Sequence, residues 1–71
     1  MKYYVIYKYP KDYPDDYVMR SFTMNGDGSI RPDDTPQFSD SLEILRRNLP
    51  QGLVCVPADK KDDPVIVETW L

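Results

Sequence analysis

The sequence predicts an α+β fold, a mostly antiparallel four-stranded sheet in ββαββ order with one helix, at about residues 40–49, packed on one face. Segments rich in β-branched and aromatic residues stand on both sides of a single segment with helical periodicity, and prolines separate them. With 71 residues, the chain is expected to form one small domain whose core supplies only about a few kcal/mol of net stability.

A single helix is predicted because a start signal, an apolar stripe and a stop signal occur together. Asp40 and Glu43 have the spacing of a capping box, in which the Asp40 carboxylate accepts from a free amide of the first turn and the Glu43 carboxylate accepts from the Asp40 N–H. Pro50 ends the pattern, since proline cannot continue a helix. At about 100° per residue, the residues expected to share one stripe and pack on the sheet are Leu42, Leu45 and Leu49, with Phe38 just upstream.

Two pairs of strands are predicted around this helix. They are Tyr3–Tyr9 and Tyr17–Met24 before it, and Leu53–Val56 and Val65–Leu71 after it. A short extra strand at residues 29–31 is an open alternative. Arg20 stands among the apolar residues of the second strand, and we expect it to extend to solvent from an edge rather than to pair with a nearby aspartate.

The composition predicts a folded protein of a reducing, cytoplasmic compartment. Hydrophobic residues make up 41% of the chain and aromatic residues 13%. The single cysteine, Cys55, cannot form an internal disulfide, and its apolar context predicts a small buried side chain. Trp70 is likewise expected in the core. Residues 1–9 contain no uninterrupted apolar run long enough for a signal peptide or a membrane span, so no membrane association is expected.

The residue types argue against catalysis and against nucleic-acid binding. The chain has no histidine, no serine in an elbow context and no phosphate-binding glycine loop, and its acidic pairs lie in proline-containing loops. We therefore expect neither enzyme activity nor a cofactor. The formal net charge of −3 opposes binding to nucleic acid, because affinity for phosphates comes from lysine and arginine.

A tyrosine–proline repeat follows the first strand. It reads Tyr-Pro-Lys-Asp at residues 9–12 and Tyr-Pro-Asp-Asp at residues 13–16. The rings either pack on prolines and cap the sheet, or form a stiff recognition surface. In the helix, Ile44 lies outside the leucine stripe, so it is expected to be exposed, covered by a loop or in contact with a partner. The candidate partner-binding residues are Tyr9, Tyr13, Tyr17 and Ile44.

Residues 25–30 read Asn-Gly-Asp-Gly-Ser-Ile and resemble the middle of an EF-hand calcium loop. On that alignment Asn25 and Asp27 are ligands, but Thr23 stands at the first ligand position and Pro32 interrupts the exiting segment. Asn-Gly and Asp-Gly are also typical of tight turns. We therefore expect a turn here, with no calcium or other metal.

The sequence thus favours a non-catalytic protein-interaction or regulatory module. A helix on only one side of the sheet leaves the other side uncovered, which favours a protein partner or a homodimer there. The alternative is binding of a single-stranded nucleic acid or a nucleotide through the sheet aromatics Tyr3, Tyr4 and Tyr7.

Overall fold

The computed structural model describes residues 1–33, 35–61 and 63–71. Within these ranges the chain forms six strands and one helix. In chain order they are β1 (Lys2–Lys8), β2 (Tyr17–Met24), β3 (Ile30–Pro32), β4 (Gln37–Ser39), α1 (Leu42–Arg47), β5 (Cys55–Pro57) and β6 (Ile66–Trp70). All six strands pair antiparallel in one sheet.

The predicted four-stranded sheet in ββαββ order is wrong. The sheet has six strands in the spatial order β3-β2-β1-β6-β5, and β4 also pairs with β2. Four strands therefore precede the helix, and two of them, β3 and β4, are three residues long. Such short strands carry no alternation of their own, and they form because the long strand β2 offers a free edge for pairing. The alternative strand at residues 29–31 overlaps β3.

The helix is shorter than predicted, and the capping box is wrong. Ser41, not Asp40, is the N-cap residue, and its side chain makes no capping hydrogen bond. The Ser41 N–H instead donates to Ser39 Oγ at 3.1 Å, so the entry to the helix is held by the end of β4. A helix of six residues gains little from its own hydrogen bonds and depends on packing for its stability.

The leucine stripe is confirmed as the packing surface of the helix. Leu45 is 1% exposed and joins Ile6 and Met19 in the core. We call this side of the sheet the helix face; its partly buried members are Tyr4, Tyr17, Leu42, Leu49, Val67 and Trp70.

Two side chains depart from the expected positions. Cys55 is exposed rather than buried, because β5 is an edge strand that the short helix does not cover. Phe38 is 56% exposed and pairs in register with Val18, so it points to the side opposite the helix.

A β-bulge interrupts the pairing of β1 with β6. Ile6 lies opposite Glu68, but the next residue of β1, Tyr7, lies opposite Ile66. Val67 is therefore the extra residue, and it packs against the core on the helix face. Ile66 points with Tyr7 to the opposite side.

Candidate interaction surface

The strand register defines three adjacent rows of side chains on the side of the sheet opposite the helix. They lie next to a fourth row, formed by Phe38, Val18, Tyr7 and Ile66. The first row consists of Ile30, Met24 and Met1. The second consists of Pro32, Phe22, Tyr3, Leu71 and Val54, and it crosses five chain segments. The third consists of Arg20, Val5, Thr69 and Val56. We call these twelve residues the open face.

Exposed apolar side chains concentrate on the open face. Nine large apolar side chains are exposed among the described residues, and six of them belong to it. These six are Met1, Met24, Ile30, Val54, Val56 and Leu71, with exposures from 37% to 71%. Isolated exposed apolar residues are normal on a protein surface, but a contiguous group marks an interaction site.

A stacked aromatic pair lies in the second row of the open face. The rings of Tyr3 and Phe22 are 5.2 Å apart between centroids and 18° from parallel. They stand on the neighbouring strands β1 and β2, directly opposite one another. Stacking restricts both rings, so the pair offers a large contact area that loses little entropy on binding.

The open face is almost free of charged side chains. Arg20 is the only charged side chain among its twelve residues. Its Nη2 atom donates a hydrogen bond to Asp12 Oδ2 at 3.2 Å. The expectation that Arg20 extends to solvent without pairing to an aspartate is therefore wrong, because the loop after β1 brings Asp12 back over the sheet.

That loop, Tyr9–Asp16, is the tyrosine loop. The N–H of Tyr9 donates to the carbonyl of Asp16 at 2.9 Å and closes the loop where β1 and β2 meet. Inside it, the Tyr13 N–H donates to Pro10 and the Asp16 N–H donates to Tyr13, which makes two consecutive tight turns. Tyr9 has a φ of 50°, a left-handed conformation that turns the chain out of β1.

The tyrosine loop covers one end of the sheet beyond the open face. The Tyr13 ring stacks on Phe38, with centroids 4.9 Å apart and planes 23° from parallel. Beside them Val18 is completely buried, although no helix lies on this side. The loop therefore forms a wall along one border of the open face.

The structure does not bring the four predicted contact residues onto one surface. Tyr9 is 47% exposed, and its ring lies 5.5 Å from that of Tyr17, which packs on the helix face. Tyr13 lies on the opposite side, in the wall of the open face. Ile44 is 48% exposed on α1. Their role in partner binding stays a prediction.

Most of the open face is not evident in the sequence. Val54 and Val56 belong to one predicted strand and Leu71 to the next, with no signal that all three share one exposed surface. One signal was present, since Phe22 and Met24 alternate with polar residues along the second strand.

On the helix face, one buried carboxylate ties the helix to the sheet. Glu68 in β6 is 4% exposed. Arg46 in α1 donates to it from Nε at 3.2 Å and from Nη2 at 2.6 Å, and Trp70 Nε1 donates a third hydrogen bond. The Arg46 hydrogen bonds lower the pKa of Glu68 below its ordinary value of 4.5. Both oxygens of the Glu68 carboxylate accept hydrogen bonds within the protein, so we assign this cluster a role in stability rather than in binding.

A second polar cluster forms near the C-terminal end of β2. Asp33 accepts a hydrogen bond from Thr23 Oγ1 at 3.1 Å, and Lys2 Nζ lies 3.5 Å from its other oxygen. Hydrogen bonding to Ser21 is the main cause that lowers the pKa of Asp33. These contacts hold Asp33, the residue after β3, against the hairpin that β1 and β2 form.

The segment that resembles a calcium loop forms a tight turn. Asp27 Oδ1 accepts hydrogen bonds from the Ser29 N–H at 2.9 Å and from its hydroxyl at 2.7 Å, and these bonds lower the pKa of Asp27. Asn25 also donates to Ser29 Oγ. Gly28 takes the positive φ that the turn requires. Across the described residues, no three side chains of metal-ligand type form a group that could hold an ion.

In the part of the chain that the structure describes, no helix has the length and apolar character needed to cross a membrane. No family model, no curated protein and no solved structure gives a significant match to this chain.

Proposed function

We propose that this chain is a non-catalytic protein-interaction module that binds its partner through the open face. The observation that carries the proposal is the concentration of six exposed apolar side chains on one side of the sheet. On an ordinary monomer surface such side chains are scattered, whereas a contiguous patch indicates a binding site.

The chemistry of the face supports a protein as the partner. Interface centres are depleted in charge and enriched in aromatic residues and methionine. The open face contains the stacked pair Tyr3 and Phe22 and the exposed Met1 and Met24. Its one charged side chain, Arg20, is paired with Asp12 at the border, which supplies the polar rim typical of an interface.

Single-stranded nucleic acid is a second candidate, and the Tyr3–Phe22 pair is the observation that favours it. Aromatic rings on adjacent strands are the platform on which single-strand binders stack bases. Phosphates also need cations nearby, and the one charged side chain of the open face, Arg20, is paired with an aspartate. A fluorescence titration with mixed single-stranded oligonucleotides at low salt tests this candidate, and absence of binding removes it.

The experiment that tests the protein-interaction proposal is site-specific photo-cross-linking in cells that express the chain. A photoreactive residue replaces Val56 on the open face, Ile44 on the helix or Lys60 in the exposed loop after β5. The proposal expects a discrete protein adduct from position 56 and none from position 60. An adduct at position 44 alone would move the site to the helix, and no adduct at any position would contradict the proposal.

A reducing, cytoplasmic location is proposed on the basis of Cys55. The thiol is exposed on the edge strand β5, and desolvation raises its pKa, which keeps it protonated. An exposed unpaired thiol is compatible with a compartment that keeps cysteines reduced.

A further inference from the structure

We propose that the occupant of the open face is a second copy of this chain, packed face to face in a symmetric dimer. This inference rests on the proposed function, because it names the partner of the same surface. Four features carry it: the charge distribution, the area of the face, the chemistry of the sheet edges and the size of the core.

The charge distribution favours contact between the open faces of two copies of the chain. The chain carries a net charge of −3, so a contact between two copies through their charged surfaces opposes like charges. The open face avoids this repulsion, since its single charged side chain, Arg20, is paired with Asp12 within the same chain. An isologous contact requires a self-complementary patch, and a mainly apolar patch with few charges meets that requirement.

The area of the open face matches a weak dimer. Strands about 4.8 Å apart, with rows about 6.8 Å apart, give twelve residues a projected area of about 400 Å². Two such faces and their loop walls bury about 1,000 Å² in total, the lower limit for a specific interface. We therefore expect a dissociation constant in the micromolar range or above, not an obligate dimer.

The sheet edges are poorly suited to pairing between copies. Val54 exchanges backbone hydrogen bonds with Leu71, so alternation directs the backbone groups of Cys55 and Pro57 to the free edge of β5. Pro57 has no N–H to donate there. At the other edge, which β3 and β4 share, β3 ends in Pro32, which also lacks an N–H. These prolines weaken pairing through the edges of β5 and β3, which favours association through the face.

The monomer core is small enough to gain from a second layer. Only five apolar residues are buried among those described: Val5, Ile6, Val18, Met19 and Leu45. A second sheet packed at about 10 Å would cover the exposed rows and convert a one-sided sheet into a sandwich. The tyrosine loops stand above the sheet at one end, so the two copies place their loops at opposite ends to avoid collision.

Sedimentation velocity from about 10 µM to about 1 mM tests the proposal on the wild-type chain. We expect the weight-average mass to rise with concentration from 8.3 kDa towards twice that value. Val54→Asp and Val56→Asp place charges at exposed positions of the open face, 67% and 44% exposed, and both are expected to stay monomeric. Arg47→Glu is the control: it adds negative charge at an exposed position of α1, outside the open face, and it is expected to dimerise like the wild type.

Far-UV circular dichroism checks that each variant is folded, and all three substituted positions are exposed, so each variant is expected to fold. A wild-type chain that stays monomeric at about 1 mM overturns the second-copy proposal. After that result the proposed function would still hold if the photoreactive residue at position 56 cross-links a different protein. Dimerisation that persists in both open-face variants, or that Arg47→Glu abolishes, also overturns the second-copy proposal. Failure of every open-face cross-link, including one to a second copy, overturns the proposed function itself.

Discussion

At the scale of single residues, the charged group that matters most is Glu68. Burying a carboxylate is unfavourable unless hydrogen bonds and an opposite charge compensate for the lost hydration. Arg46 supplies both, and Trp70 satisfies the remaining capacity of the carboxylate. The Arg46–Glu68 pair joins α1 to β6, two elements that are far apart in sequence.

We predict that Arg46→Ala destabilises the domain by about 1 to 3 kcal/mol, because Glu68 would stay buried without its main donor. The matched control is Arg47→Ala, the next residue of the helix, which is exposed and should change stability by less than about 0.5 kcal/mol. Urea unfolding followed by circular dichroism measures both free energies. Equal effects of the two substitutions would contradict the role of the buried pair.

The lowered pKa of Glu68 predicts how stability depends on pH. A carboxyl whose folded pKa is depressed contributes stability above its unfolded pKa, and this contribution is lost as pH falls through the folded pKa. The wild-type chain should therefore lose stability as the pH falls below 4.5, the ordinary pKa of the Glu68 carboxyl. Glu68→Gln should be less stable than wild type at neutral pH, and the gap should narrow as pH falls. A gap independent of pH would contradict the prediction.

At the scale of elements, the helix depends on one side chain. Leu45 is the only fully buried residue of α1, and the six-residue helix lacks a side-chain cap. We predict that Leu45→Ala costs about 2 to 5 kcal/mol, whereas the neighbouring Ile44→Ala, at a half-exposed position, costs less than about 1 kcal/mol. Urea unfolding distinguishes them, and similar losses would show that the helix is not held by its leucine stripe.

The tyrosine loop is a second element whose packing can be tested. We predict that Tyr13→Ala destabilises the domain by about 1 to 3 kcal/mol, because it removes the stack on Phe38 and uncovers Val18. Asp12→Asn, which only weakens an exposed ion pair with Arg20, should change stability by less than about 1 kcal/mol. Thermal unfolding compares the two variants. A larger loss for Asp12→Asn would mean that charge, not ring stacking, holds the loop.

The elements with strong local patterns were predictable, and the others were not. The second strand was predicted with the bounds of β2, and the helix was predicted with its packing stripe but with four extra residues. Two strands of three residues, β3 and β4, lie in a proline-rich segment that reads as a loop. Their pairing depends on the free edge of β2, which is a tertiary property that no local pattern carries.

At the scale of the whole molecule, dimerisation through the open face would make stability depend on concentration. Association that occurs only in the folded state adds stability as the protein concentration rises. We predict that the wild-type melting temperature increases between about 10 µM and about 1 mM, by about 4 to 8 °C for each kcal/mol gained. Val56→Asp should melt at a temperature that does not change over this range. A constant wild-type melting temperature would contradict a face-to-face dimer.

The open face could not be read from the sequence, although an uncovered sheet face could be expected. The expectation followed from the single predicted helix, which covers only one side of the sheet. Its actual members come from five separate segments, and only the register places Tyr3 beside Phe22 and Leu71. Side-chain periodicity is two residues in every strand, so a register error of one residue would exchange the two faces.

The bulge at Val67 adds a side chain to one face of the last strand. Two consecutive residues, Val67 and Glu68, lie towards the helix, whereas Ile66 lies opposite Tyr7 on the other side. Deleting Val67 would leave Glu68 opposite Ile6 and would join it directly to Ile66, still opposite Tyr7, in a regular ladder. Val65, whose carbonyl accepts the Lys8 N–H, would keep its partner, and the layer beneath α1 would lose one apolar side chain. The supernumerary residue thus thickens that layer without changing the register of the rest of the strand.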